Sequence, residues 1–155
     1  MAPAPPRILA SINDPEQIVD VMCLACNLAG EDRHAEVHAL HVVLIPRALP
    51  LDADVKAELA LGESLLAKAE EVAEERFGRR VHTDLLQARA VGPAILEEIR
   101  EKGIDAVVLG YRRRRGFARG FLGTTVDYVV KHATCRVVIN VPPERAAGGR
   151  PGGTA

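Results

Sequence analysis

The chain has 155 residues, 48% of them hydrophobic, 26% charged and 3% aromatic, with a net charge of −1. That length suits one domain that buries its core without disulfides or metal, and the charge balance excludes broad binding to nucleic acid or to a membrane surface. Aromatics this scarce, with no Trp, do not favour a base-stacking platform, no apolar run nears the ~20 residues of a membrane span, and the start lacks the charged-then-apolar order of a secretory signal. A cytoplasmic protein is expected.

Residues 1–6 read as a flexible start. Residues 7–12, Arg-Ile-Leu-Ala-Ser-Ile, form an apolar run that predicts a buried strand. Asn13 and Asp14 follow as turn or N-cap residues, and Pro15 suits the first helical position. Ile18, Val19, Met22, Leu24, Ala25 and Leu28 then keep helical spacing up to Gly30. A polar turn leads to a second strand, 36–45, halted by Pro46. After a loop, Asp52 or Asp54 is positioned to cap a long helix carrying Val55, Leu59, Leu65, Leu66, Ala69, Val72 and Phe77, closed by Gly78. Residues 81–87 read as a third strand. Gly92-Pro93 opens a helix with Ile95, Leu96 and Ile99, ended by Gly103. The fourth strand is 106–109, stopped by Gly110. A helix runs from Thr124 to about His132, and a last strand, 136–141, ends at Pro142-Pro143. The tail, 143–155, is too poor in apolar residues to bury a core and is expected to be disordered, which leaves 7–142 as a single domain.

Strands alternate with helices throughout, which predicts a mostly parallel sheet with helices on both faces. Ligands of such sheets bind in a crevice at the carboxyl ends of the strands. Its natural walls here are Ser11, Ile12 and Asn13 after the first strand and Gly110 after the fourth. The segment 110–125 passes from strand through a Gly- and Arg-rich loop to a helix start. That is how α/β proteins build a phosphate cradle: glycines let backbone N–H groups approach the anion, and the helix N-terminus adds unpaired donors. Gly110, Gly123, Thr124 and Thr125 are the candidate phosphate holders. Arg112, Arg113, Arg114, Arg115 and Arg119 can add guanidinium forks, or can form a solvated loop that docks an acidic partner.

Other candidates are weaker. Cys23 and Cys26 form a C-x-x-C, but they lie inside a predicted helix rather than at its start, as small buried side chains one turn apart. No second pair with ligand spacing accompanies them for zinc. Histidines 34, 38, 41, 82 and 132 show no metal spacing and read as structural. The carboxylates of the long helix read as a solvated face. No Gly-x-Ser-x-Gly elbow, His-Glu-x-x-His or Walker lysine motif is present, so a dedicated enzyme is not expected.

Taken together, Leu40-His-Val-Val43, Gly92-Pro-Ala-Ile-Leu96, Asp105-Ala-Val-Val-Leu-Gly110, Leu122-Gly-Thr124 and His132-Ala-Thr-Cys-Arg-Val-Val138 resemble the universal stress protein family. The resemblance covers roughly residues 7–142. It implies the adenine nucleotide alpha hydrolase-like fold, an open five-stranded parallel sheet of order 3-2-1-4-5. It also implies a homodimer through the last strand, 136–141, and an adenine nucleotide (ATP, AMP or cyclic-di-AMP, with Mg as companion) in members that bind one. In the ATP-binding pattern Gly110, Gly123 and Thr124 match, whereas Arg113 replaces the second glycine and Asn13 replaces an Asp. Val42 or Val43, with Ser11, Ile12 and Asn13, would contact the adenosine. The start Asn13-Asp-Pro-Glu16 further resembles members associated with membrane transporters. Three functions follow as expectations. The first is a nucleotide-binding stress-response or regulatory module. The second is a nucleotide-free module that docks a protein or a transporter's cytosolic face through the Arg loop. The third is a phosphotransfer or hydrolytic enzyme, limited to slow ATP hydrolysis at most because no positioned general base is visible.

Overall fold

The computed structural model describes residues 3–112 and 123–144. Five strands, β1 (Arg7–Ser11), β2 (Glu36–Leu44), β3 (His82–Ala88), β4 (Ala106–Gly110) and β5 (Arg136–Asn140), form one sheet of order β3-β2-β1-β4-β5. Every neighbouring pair is parallel. The helices α1 (Ile18–Ala29), α2 (Lys56–Phe77), α3 (Val91–Lys102) and α4 (Thr124–His132) are the crossovers. The expected sheet order is therefore observed.

The continuous apolar character of β1 and β4 has its reason in this layering, since both of their faces are covered. One face carries Ile8, Ala10 and Val108 against α1 and α2, including Met22, Leu65 and Ala69. The other carries Leu9, Val107 and Leu109 against α3 and α4, including Ile95 and Val129. Strand alternation alone sends Leu9 and Ala10 to opposite cores.

One local expectation is corrected. Neither Asp52 nor Asp54 caps α2: Val55 stands at the N-cap without a side-chain hydrogen bond. Asp54 lies outside the helix and pairs instead with Lys56 on the surface at 3.5 Å. At the first helix the expectation holds: Asp14 caps the start and Pro15 opens it, as a 3-10 turn, Pro15–Gln17, before α1 proper. Helix α2 lies close on the sheet because Gly62 has no side chain. A Cβ there would meet His41 and Leu85 side-chain carbons, each at 2.6 Å. The expected disorder of the tail falls, beyond residue 144, outside the described residues.

Candidate functional site

The carboxyl ends of β1 and β4, which are adjacent strands, open a recess lined by Ser11, Ile12, Asn13, Asp14, Gln17 and Gly110, with Ile18 and Val21 beneath. Four of the residues singled out in the sequence, Ser11, Ile12, Asn13 and Gly110, thus stand together. Ser11 is buried, and its Oγ accepts a hydrogen bond from Asn13 Nδ2 at 2.9 Å. The Ile12 carbonyl lies 2.6 Å from His41 Nδ1, so the histidine on β2 fixes the backbone that follows β1. This is the structural role expected of His41.

Residues outside the sequence reading complete the recess. Gln17 is 3% exposed, and its amide oxygen accepts from Asn140 Nδ2 at 3.0 Å, which ties the first turn to the end of β5. A Cβ on Gly110 would come within 2.7 Å of that same oxygen. Gly110 is needed for this close approach. Asn140 is the register partner of Gly110, a relation that exists only once β4 and β5 pair. The cavity in the recess is about 20 Å³, room for about one water molecule and far below the roughly 300–1,000 Å³ usual for small-molecule sites. Gln17 takes part of the space. Its polar lining comes from Ser11, Asn13, Asp14 and Gln17.

The other candidates are placed differently. Val42 and Val43 are buried on β2 and neither lines the recess. Arg112 is exposed, with ion pairs to Asp14 and Glu16. Helix α4 runs back from the carboxyl end of β4 to the amino end of parallel β5, so its N-terminus lies at the recess end of the sheet. Gly123, its N-cap, has φ +88°, which favours glycine, and among the described residues no side chain caps the helix. The first-turn N–H donors, beside Thr124 and Thr125, therefore have no side-chain cap among the described residues. Arg113, Arg114, Arg115 and Arg119 lie outside the described residues. Cys23 and Cys26 lie within α1, as expected, with Cys26 2% exposed.

A family model, the universal stress protein family, matches residues 6–142. The chain belongs to that family. A universal stress protein of Methanocaldococcus jannaschii is 32% identical over 127 residues, 78% of this chain and 73% of that protein. Among solved structures, the universal stress protein of Archaeoglobus fulgidus in complex with dAMP superposes with a TM-score of 0.65 at 17% identity, covering 86% of this chain and 95% of that one. A universal stress protein family member of Arabidopsis thaliana with AMP bound gives 0.64 at 20% identity, covering 90% and 93%. At these identities the structural likenesses establish the fold. Among the described residues, no helix is long and apolar enough to cross a membrane.

Proposed function

We propose that this universal stress protein is a regulatory module that binds an adenine nucleotide at the carboxyl ends of β1 and β4. The observation that carries the reading is the convergence of the Ser11–Asn13 backbone turn, Gly110 and the α4 N-terminus, with Gly123 as its N-cap, at one end of the sheet. Ser11 and Asn13 offer hydroxyl and amide groups to a ribose or base edge. Gly123, Thr124 and Thr125 offer backbone N–H groups and hydroxyls to phosphate. The AMP and dAMP bound by relatives of the same fold support the ligand class. Val42 and Val43 would come into contact with adenosine only if the ligand extended over the end of β2. Mg would accompany a triphosphate.

The second copy of the chain would dock along β5. This strand forms one edge of the sheet, and its Val137, Val138 and Ile139 are half-buried. An unpaired edge carrying apolar side chains is a template for a further strand. Light scattering of the purified chain decides this: the expected mass is that of two chains.

Calorimetry with AMP, ATP and cyclic-di-AMP tests the nucleotide reading. Micromolar binding of at least one is expected, lost in Gly123→Asp, which sets a negative charge and a strained φ at the phosphate end of α4. Circular dichroism checks that the variant folds. No heat with any of the three overturns the reading and favours the docking module.

A further inference from the structure

At the end of the sheet remote from the recess, the amino ends of β2 and β3 bring together Glu36, His38 and His82. Glu36 and His38 are two residues apart on β2 and so share a face. His38 and His82 are direct register partners, although they stand 44 positions apart in the sequence. Their rings stack with centroids 4.7 Å apart. His38 Nε2 lies 3.0 Å from Glu36 Oε2. One donor atom from each of the three residues lies within 4.8 Å of the other two. The histidine spacing that carries no metal signal along the chain thus becomes a cluster across the sheet.

We propose that Glu36, His38 and His82 bind a divalent late transition-metal cation of the zinc class, with water completing the coordination. Two imidazoles and a carboxylate are a donor set that Zn²⁺ takes with one position left open. Imidazole ligands favour late first-row metals over Mg²⁺ or Ca²⁺, which take oxygen ligands.

The geometry is close to what such an ion needs. Ligands placed tetrahedrally at 2.0–2.1 Å from zinc lie roughly 3.3 Å apart, so the present spread must contract by about 1.5 Å. His82 is exposed and Glu36 half-exposed, so both can make that rotamer adjustment. His38 is the fixed member, its side chain only 10% exposed. Its Nδ1 has no hydrogen-bond partner among the described residues, and its Nε2 faces Glu36. No other polar group therefore competes for this ring. The competing cation is Arg7, whose Nε lies 3.5 Å from Glu36 Oε2. Arg7 has a separate anchor, since its Nη1 donates to the Lys102 carbonyl at 2.9 Å. It can yield the carboxylate without losing its place. A bound ion would clamp β2 to the edge strand β3.

The test uses the whole chain, stripped with a chelator, with thiols kept reduced and no nucleotide present, so the outcome is independent of the nucleotide reading. Zinc chloride is titrated by calorimetry, and Co²⁺ is followed by its visible absorption. One equivalent is expected to bind, with a rise in Tm. His82→Ala, at an exposed position, and Glu36→Gln should each weaken binding at least tenfold, the scale set by the loss of mere supporting groups in metal sites. His34→Ala, an exposed histidine of the same groove, should bind as the parent does. Absence of one-to-one binding overturns the proposal. So does equal binding by His82→Ala, or a matching loss in His34→Ala.

Discussion

Arg112, just beyond β4, grips Asp14, the cap of the turn after β1, with Nε 3.0 Å from Oδ2 and Nη2 2.8 Å from Oδ1. Glu16 adds a contact to the same Nη2 at 3.0 Å. The one described guanidinium of the Arg-rich loop is therefore neutralised by two carboxylates, and it ties the ends of β1 and β4 together. The Arg112 side chain is 58% exposed, so the pairing is worth about 1 kcal/mol or less. A phosphate can compete for it.

Asp14→Asn should accordingly tighten nucleotide binding. The amide still caps the Pro15–Gln17 turn, where the present carboxylate accepts from the Glu16 N–H at 3.0 Å. It no longer repels a phosphate or neutralises Arg112. A gain of roughly threefold to tenfold in AMP affinity is expected, up to about 1.4 kcal/mol, measured by calorimetry against the parent. Unchanged affinity would mean that Arg112 takes no part in binding.

Gly62→Ala tests the packing that supports the recess. Alanine is the better helix former by about 1 kcal/mol. Its Cβ would nonetheless collide with His41 Cδ2 and Leu85 Cδ1, both at 2.6 Å. Overpacking of that kind costs about 1–3 kcal/mol. A net loss is expected, read as a fall in Tm of a few degrees. Because His41 holds the Ile12 carbonyl, nucleotide affinity should fall with it. A higher Tm would show that helix propensity outweighs the contact.

Acid stability should depend on Glu36. The hydrogen bond from the His38 ring holds its carboxyl below the usual range, helped by Arg7 and opposed by a smaller burial effect. A carboxylate depressed in the folded state stabilises fully above its unfolded pKa, near 4.5, and loses that contribution as pH falls through the folded value. In the metal-free protein, Glu36→Gln should flatten the fall of Tm on acidification below that pH. Identical profiles for the two proteins would remove Glu36 from the acid response.

Thiol chemistry should distinguish the two cysteines of α1. Burial pushes the Cys26 thiol up, against a weaker opposing effect of Arg79. Cys23 is half-buried, with Arg76 Nη1 3.9 Å from its sulfur. Alkylation of the native protein near pH 8, mapped by mass spectrometry, should modify Cys23 well before Cys26, because the thiolate is the reacting species. Equal rates would mean that α1 opens readily.

The strand and helix pattern was legible in the sequence because the forces behind it are local. Runs such as Ile8–Leu9–Ala10 and the spacing of Leu65, Leu66, Ala69 and Val72 report burial directly. Gly30, Gly78 and Gly103 end their helices with positive φ, as glycine permits. The first-strand turn and Gly110 could be named as walls of one crevice because parallel α/β sheets open at their carboxyl ends. The capping of α2 by Asp52 or Asp54 failed because a capping residue type does not reveal where the backbone turns helical. Only the tertiary structure decided the relations that depend on register. It paired Asn140 with Gly110 and set Gln17 between them. It folded Arg112 onto Asp14 across 98 residues of chain. It stacked His38 on His82. Chain spacing holds no trace of these contacts, because strand pairing sets which distant side chains meet.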